Sequence, residues 1–274
     1  MALLNSFNSG VNGIKTFSKS LEVIGDNIAN VNTTGFKGSR VTNQDSFVET
    51  LKVSSAGNGD IGGSNAMQVG SGSSVASISQ QFTQGALTTT AAPSDLGISG
   101  NGFFTVINPA DTKTYVTRAG DFRVDDLGYL VTNDGCRVQG KNGDIQLTVN
   151  DDTKSLVSYS ISKNGLIKEY FSDGTSTPED EADIVYLQSF SNPNALMRAG
   201  NNLFTNLEAA GPVEPAQAGT NGLGQVIQGT LELSNVDLTQ QFSDLIVAQR
   251  AFQANSRVIT VSDSVMEEVV NLKR

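Results

Sequence analysis

Carboxylates are the most numerous groups in this chain that could do chemistry. Adjacent acids at Asp125–Asp126 and Asp151–Asp152 could share a proton as an acid–base pair or ligate a calcium ion. Neither pair completes the spacing of a calcium loop, and turns favour aspartate for purely local reasons. Histidine is absent and Cys136 is the one cysteine, so the sequence cannot form a Ser-His-Asp relay, a Cys-His relay or a CxxC pair. We therefore predict solvated acids and a small, partly buried Cys136 rather than a catalytic centre.

Two glycine motifs match nucleotide-binding spacings. Gly135 to Lys141 has the GxxxxGK spacing of a phosphate-binding loop, but Asn142 stands where Ser or Thr would hold magnesium, and a turn rather than a helix follows. Residues 57–62 have the GxGxxG spacing, but they neither follow a strand nor open a helix. Both motifs predict loop or hairpin structure. We expect no cofactor and no metal, and a carboxylate-based enzyme or nucleotide-binding protein is the less favoured alternative.

The charge balance excludes several classes of partner. Twenty-eight acidic residues against 18 basic ones give a net charge of −10, which offers no electrostatic footprint for nucleic acid or anionic lipid.

No apolar run approaches the roughly 20 residues of a membrane span. The N-terminus also lacks the basic start and continuous apolar core of a cleaved secretory signal. Export by a route that reads an unfolded, uncleaved N-terminus stays open.

The element that organises the chain is its last stretch, residues 236–272. A stripe recurs there in alternating steps of four and three, which is the period of a two-helix seam. Its apolar members are Leu238, Phe242, Leu245, Phe252, Ile259, Met266 and Val270, and Gln249, Ser256 and Asp263 are its polar members. No Gly or Pro interrupts the pattern, so it predicts a helix about 50 Å long. A stripe of that length needs a partner.

The N-terminal stretch, residues 3–31, carries a matching stripe. Its members are Leu4, Phe7, Val11, Ile14, Leu21 and Ile28. Gly10, Gly13 and Gly25 each cost about 1 kcal/mol of helix propensity, so packing must order this helix. Two interpretations follow. The terminal helices form an ordinary antiparallel pair packed on the rest of the protein, or they stay largely disordered until identical neighbours supply apolar surface.

The middle of the chain has two characters. Residues 32–74 are predicted to be a turn-rich and Gly/Ser-rich linker, in which residues 38–54 fit short extended or weakly helical pieces and residues 55–74 form a flexible segment or mobile loop. Residues 75–233 alternate apolar and polar positions between Asn-Gly and Asp-Gly turns, which predicts an all-β domain with a short insertion around 145–183. Residues 1–31 and 234–274 then form a terminal helical domain. The predicted fold is mixed α and β, with the long terminal helices paired as a coiled coil around an all-β middle domain.

Several motifs resemble those of bacterial flagellar rod and hook axial proteins. They are Asn27-Ile-Ala-Asn-Val-Asn-Thr-Thr-Gly-Phe-Lys37, residues 95–104, residues 117–122, residues 234–238 and residues 248–255. Because the motifs lie near both ends and in the middle, the resemblance covers nearly the whole architecture. The signature positions are Asn27, Ala29, Asn30, Thr33, Gly35, Phe36, Lys37, Asn235, Val236, Gln249 and Arg250.

This resemblance implies a structural subunit that is exported unfolded by the flagellar type III route and polymerises into a tube. The terminal helices would form the inner tube, with the stripe positions buried within or between subunits. The implied partners are further copies of the chain, adjoining rod and hook–filament junction proteins, the export apparatus and the hook cap. The implied location is the flagellar basal body and hook, outside the cell after export.

Within the family, two mechanical roles stay open. The continuation Lys37-Gly-Ser-Arg40, residues 82–85 and the ending Val270-Asn-Leu most resemble the flexible hook, which transmits motor torque to the filament. The short chain resembles rod subunits, and the distal rod, a rigid drive shaft, is the alternative. We expect the hook.

Overall fold

The computed structural model describes residues 2–57, 62–148, 150–151, 154–177 and 183–272. These residues divide into two compact units. Unit 1 comprises Met1–Ala29, Ser39–Gln80 and Asp237–Arg274, and unit 2 comprises Asn30–Gly38 and Gln81–Val236. Each unit is therefore assembled from stretches that are far apart in sequence.

Unit 1 contains both helices, α1 (Ala2–Ala29) and α2 (Leu238–Asn271). They run antiparallel: Gly10, early in α1, lies against Ile259 late in α2, and Asn27 at the other end of α1 donates to Gln241 Oε1 at 3.0 Å. Asp237 caps α2, because its Oδ1 accepts from the backbone N–H of Thr239 at 2.8 Å. Neither helix, over the residues that the structure describes, has the length and apolar character to span a membrane.

The rest of unit 1 is a long β-hairpin where the sequence predicted a linker. Its strands are β1 (Ser39–Asp45), β2 (Val48–Lys52), β3 (Met67–Gly70) and β4 (Ser73–Gln80). Strand β1 pairs with β4 and β2 pairs with β3, both antiparallel. Residues 58–61 of the predicted linker lie outside the described residues.

Helix α1 explains why a glycine-rich and serine-rich sequence forms strands here. Asn12 Nδ2 donates to the carbonyl of Ser71 at 3.0 Å, and Thr16 Oγ1 donates to the carbonyl of Ser73 at 3.1 Å. The two bonds satisfy backbone carbonyls of the hairpin. From its composition alone, the segment is expected to be a linker whose carbonyls bond to water. Residues 75–80, predicted as the start of the β domain, consequently belong to β4 and unit 1.

Unit 2 is an all-β unit whose strands are all antiparallel. The strands are β5 (Leu87–Thr89), β6 (Leu96–Ser99), β7 (Phe103–Ile107), β8 (Thr114–Thr117), β9 (Arg123–Val124), β10 (Leu130–Val131), β11 (Arg137–Gly140), β12 (Gly143–Asp144), β13 (Asn150–Asp151), β14 (Lys154–Ile161), β15 (Ile167–Phe171), β16 (Tyr186–Gln188), β17 (Met197–Gly200), β18 (Leu203–Thr205), β19 (Ala216–Gln217), β20 (Gln225–Gln228) and β21 (Thr230–Glu232). A 3₁₀ turn spans Pro193–Ala195.

The main sheet of unit 2 holds ten strands within the described ranges. Its path is β17-β18-β8-β7-β11-β10-β9, with β12 beside β11, β16 beside β7 and β19 beside β16. Smaller sheets are β13-β14-β15, β20-β6 and β21-β5. The predicted Asn-Gly turns are confirmed at Gly143 and Gly165, where φ is +114° and +79° and only glycine is unstrained.

The core of unit 2 is apolar and closely packed. It includes Phe104, stacked edge-on against Phe122 with ring centroids 5.1 Å apart, and the buried side chains of Val138 and Leu187. Cys136 is buried in the same cluster, which confirms the prediction of a small core residue, and burial raises the pKa of its thiol.

The residues singled out for chemistry lie apart from one another. Asp125 and Asp126 are exposed beside a turn, while Asp152 and the side chain of Asp151 lie outside the described residues. Within the described ranges, no group of three or more potential metal-ligating side chains occurs. The GxxxxGK segment crosses β11 and its turn into β12, so no helix follows it.

Candidate functional site: the helix seam and a buried ion cluster

A line of buried and partly buried positions runs along α2 in alternating steps of four and three. It comprises Gln241, Leu245, Ala248, Phe252, Asn255, Ile259 and Ser262. The period agrees with the predicted seam, but every second member is displaced by one residue. Ala248 and Ser262 are buried, whereas the predicted Gln249 and Asp263 are exposed and Phe242 is 51% exposed.

The facing side of α1 explains this displacement. The buried positions of α1 are Gly10, Gly13, Thr16 and Asn27. A Cβ built on Gly13 would lie 2.8 Å from Asn255 Nδ2, so the glycines that weaken this helix also let α2 approach closely. A hydrophobicity pattern selects large side chains, so it found Leu245, Phe252 and Ile259 and missed the small and polar members that alternate with them.

The predicted apolar stripes flank that seam. Val11, Ile14, Leu21 and Ile28 of α1 are partly buried, and Phe7 is 39% exposed. The side chain of Leu4 lies outside the described residues. On α2, Leu245, Phe252 and Ile259 are partly buried, and Ser256 lies beside them.

Much of the apolar surface of α2 is open to solvent. The exposed side chains are Leu238, Phe242, Ile246, Val247, Val258, Val261, Met266, Val269, Val270 and Leu272. By helical periodicity they form ridges on both flanks of the seam, and Met266 and Val269 continue the line of the seam towards the C-terminal end of α2. Contiguous exposed apolar surface of this kind marks a site of protein interaction.

Asn27 joins three elements of unit 1. Its Nδ2 donates to the carbonyl of Ser39 at 2.8 Å and to Gln241, while its Oδ1 accepts from the N–H of Ser39 at 2.8 Å. Of the other signature residues in this unit, Ala29, Gln249 and Arg250 are exposed. Arg250 Nη1 donates to Gln253 Oε1 at 3.4 Å on the surface of α2.

Unit 2 contains a buried ion cluster of Lys37, Arg118 and Glu232. Lys37 Nζ lies 2.7 Å from Glu232 Oε1, and Arg118 Nε lies 2.5 Å from Glu232 Oε2. The three side chains are 2%, 5% and 0% exposed, respectively. Sequence reasoning identified only Lys37 among them. The only signal for Glu232 in the sequence is that a charged residue stands in a short segment of alternating apolar and polar residues. That signal is too weak to predict that Glu232 is buried.

Backbone groups complete the cluster. Lys37 Nζ also donates to the carbonyl of Thr83 at 2.8 Å, and the N–H of Gly85 donates to Glu232 Oε1 at 2.8 Å. Arg118 donates to the carbonyls of Gly100 and Gly102. The cluster therefore joins residues 30–38, 81–85 and 229–236, which are the stretches adjoining the points where the chain passes from one unit to the other. We call these the crossing segments.

Asn235 adds a second tie between the same segments. Its Oδ1 accepts from the N–H of Gly38 at 2.8 Å, and its Nδ2 donates to the carbonyl of Gln81 at 2.7 Å. The neighbouring Val236 is partly buried. The signature residues Lys37 and Asn235 are far apart in sequence, and both bond the same crossing segments to one another.

The remaining signature residues shape the first crossing segment. Gly35 has φ +66°, and a Cβ there would lie 2.5 Å from the backbone nitrogen of Ala119, so only glycine fits. Phe36 is buried, with the Arg198 guanidinium 4.8 Å above its ring. Thr33 Oγ1 donates to Asn30 Oδ1 at 3.2 Å.

The charges of the cluster are fixed by their surroundings. Burial by itself raises the pKa of Glu232, but the opposing charges and hydrogen bonds of Arg118 and Lys37 outweigh it, so this pKa lies below its ordinary value. Burial lowers the pKa of Lys37, and Glu232 only partly offsets that effect. The carboxylate is already bonded to both cations, so the cluster positions backbone rather than activating a nucleophile.

Three family models match separate parts of the chain. They are described as flagella basal body rod protein (residues 7–37), flagellar hook protein FlgE/F/G D1 domain (residues 97–169) and flagellar basal body rod FlgEFG protein C-terminal (residues 227–272). The first ends on Lys37 and the third includes Glu232 and Asn235. The second includes Arg118, so the matched segments contain all three charged residues of the cluster, most of α1 and the whole of α2.

Full-length relatives agree with these matches. The chain is 42% identical to the flagellar basal-body rod protein FlgG of Bacillus subtilis, over 99% of this chain and 100% of the relative. It is 33% identical to FlgG of Caulobacter vibrioides, over 98% and 100%. It is 26% identical to the flagellar hook protein FlgE of Borreliella burgdorferi, over 99% and 100%, in an alignment of 446 positions.

These matches identify a structural protein of the flagellar basal body and hook, in which a helix pair carries exposed apolar ridges and a buried ion cluster holds the β unit together. The chain belongs to the flagellar rod and hook axial protein family.

Proposed function

We propose that this protein is a distal rod subunit, a component of the rigid drive shaft of the flagellum. The observation that carries the proposal is the end-to-end match to basal-body rod proteins, which covers 273 residues at 42% identity. The sequence motifs favoured the hook. The identity to full-length rod proteins instead supports the distal rod, which was the alternative role. The proposed role is structural, with no catalytic step.

Chain length supports the rod over the hook. The alignment with the hook protein of Borreliella burgdorferi extends over 446 positions, although this chain has 274 residues. The interval 145–183, predicted as a short insertion, contains in its described part only the small sheet β13-β14-β15. That interval has no room for the additional outer domain that a longer subunit would carry.

The exposed ridges of α2 support self-assembly. Phe242, Ile246 and Val261 are each more than half exposed, and burying the exposed part contributes about 1–2 kcal/mol each, roughly half of the value for a fully exposed side chain. We infer that further copies of the chain cover these ridges and that the two terminal helices pack as a coiled coil in the tube. Adjoining rod and hook proteins, the export apparatus and the hook cap are the other proposed partners.

The ion cluster suits a rigid shaft. The bonds within a buried polar network rigidify a structure, because moving one member leaves its partners unpaired in a low dielectric. Here the network holds all three crossing segments, through Lys37, Thr83 and Glu232. We propose that it keeps these segments from shearing past one another under torque.

Electron microscopy of basal bodies from a strain that lacks this gene tests the assignment. A rod truncated before its outer part, restored by the gene on a plasmid, is the expected result. A complete rod with rings but no hook would transfer the assignment to the hook, which the motif at residues 37–40 favours. Fully assembled flagella would contradict both roles.

A further inference from the structure

Unit 2 has a cavity of about 180 Å³ beside the ion cluster. Lys37 and Arg118 form part of its wall, and Phe82, Phe103 and Phe190 form an aromatic wall. The rings pack on one another, with centroids 5.7 Å apart for Phe82 and Phe103 and 5.6 Å apart for Phe103 and Phe190. The cavity therefore combines cations with an apolar lining.

The cluster beside the cavity carries an excess positive charge. Lys37 and Arg118 supply two positive charges, and Glu232 supplies one negative charge. Burying a charge without a counter-charge is costly. The attraction between that charge and an anion beside it is stronger than in water, because the local dielectric constant is low. Carbonyl dipoles from Gly100 and Gly102 reduce this cost but do not neutralise the charge.

Both cations also keep donor capacity. A lysine ammonium has three N–H groups and Lys37 donates two bonds; a guanidinium has five and Arg118 donates four. Each cation thus has one N–H group without a bond to any residue that the structure describes. Glu232 already accepts three bonds, from Lys37, Gly85 and Arg118, and the structure shows neither remaining N–H group bonded to it.

We propose that this cavity accepts a carboxylate from an acidic side chain of a second copy of the chain. The chain itself makes this occupant suitable, because its 28 acidic and 18 basic residues give each copy a net charge of −10. A charged pair buried at an interface fixes register as well as affinity. This inference rests on the proposed assembly of the chain into a rod.

Asn101 offers a way to fill the cavity from within. It lines the rim, is exposed, and precedes Gly102 in a turn. Asn101→Asp places a carboxylate on the same rim at almost unchanged volume, so it neutralises the excess charge and competes with the partner's carboxylate. Asn221→Asp is the matched control, because Asn221 is also exposed in unit 2, precedes a glycine and lies outside the cavity.

The first measurement compares thermal unfolding of the purified full chain in sodium acetate and in sodium chloride at equal ionic strength and pH 7. Acetate should raise the midpoint above chloride for the wild type and for Asn221→Asp, and this difference should vanish in Asn101→Asp. An equal midpoint in both salts for the wild type would overturn the anion site.

The second measurement counts complete rods in the deletion strain carrying each variant. Asn101→Asp should reduce them about tenfold relative to Asn221→Asp, which corresponds to about 1.4 kcal/mol of lost interface energy. Equal rod numbers, together with acetate stabilisation, would overturn the second copy as occupant and leave a site for a free small carboxylate. Flagella that assemble fully without the gene would instead contradict the proposed function, whatever the acetate result.

Discussion

The two units of this protein bury opposite kinds of side chain. The helix seam of unit 1 buries Gly13, Ala248 and Ser262 and leaves large apolar residues such as Phe242 exposed. Unit 2 buries Phe104 and its neighbours completely, and it also encloses charged groups such as Glu232. The difference teaches that unit 2 buries its large apolar side chains within one chain, whereas unit 1 leaves such side chains exposed on α2, where we propose that other copies cover them. We therefore expect the stability of the monomer and its assembly to depend on different residues. Variants of those residues should change one property more than the other.

The largest effect is expected from the shared carboxylate of unit 2. Glu232→Gln leaves Lys37 and Arg118 buried without a counter-charge, and breaking a buried pair costs about 3–5 kcal/mol. Urea unfolding followed by circular dichroism measures this loss. Glu214→Gln, at an exposed position of unit 2, serves as the control and should change stability by less than about 0.5 kcal/mol. A loss below about 1 kcal/mol in Glu232→Gln would show that the cluster does not stabilise unit 2.

Acid should weaken the same cluster. Because the pKa of Glu232 is lower in the folded protein than in the unfolded chain, its contribution is complete above the unfolded value of about 4.3 and is lost as the pH falls through the folded pKa. Burial raises the pKa of Asp121, so that residue contributes in the opposite direction. The informative quantity is therefore the stability difference between the wild type and Glu232→Gln, measured by urea unfolding from pH 7 to pH 3. A difference that stays constant down to pH 3 would contradict the assigned charge state.

In unit 1, a smaller loss is expected at Asn27. Asn27→Ala removes the amide that joins α1, β1 and α2, and it leaves the N–H of Ser39 without its acceptor, which costs about 1–3 kcal/mol. Hydrogen exchange at Ser39 and urea unfolding measure the effect. Asn8→Ala, on the exposed side of α1, is the control. Equal stabilities of the two variants would show that Asn27 does not hold the hairpin to the helices.

The smallest effect on the monomer is expected at Phe242. Because this side chain is 51% exposed, Phe242→Ser should lower the free energy of unfolding by only about 1 kcal/mol, roughly half the burial energy of a phenylalanine. Assembly should nevertheless suffer, with fewer complete rods in the complemented deletion strain. Phe252→Ser, within the seam, should instead destabilise the helix pair in the monomer. A loss of monomer stability in Phe242→Ser as large as that in Phe252→Ser would place Phe242 in the seam, as the sequence predicted.

Several features were predictable from local sequence. The unbroken period of residues 236–272 indicated α2, and the Asn-Gly turns at Gly143 and Gly165 indicated hairpins. Both signals depend on interactions within a few residues, where propensity and turn geometry dominate. Cys136 was also correctly predicted as a core residue.

Other features were not predictable because distant residues create them. The hairpin over residues 39–80 resembles a linker in composition, and side chains of α1 order it. At every second position, the helix seam lies one residue before the predicted hydrophobic stripe. The reason is that the close approach of α2 at Gly13 favours small residues over large ones. Arg118 lies in the motif at residues 117–122, but nothing in the sequence indicated that Arg118 or Glu232 is buried, since a charged residue is normally exposed.

The sequence by itself determined the two terminal helices, the alternating strands between them and the absence of a histidine or multi-cysteine centre, because each depends on residue type or local period. Only the tertiary structure decided that Lys37, Arg118 and Glu232 share one buried cluster. Their separations of 114 and 195 residues exceed any local pattern. The fold brings them together because three crossing segments converge there, and a buried charge persists only where opposite charges and backbone dipoles meet it.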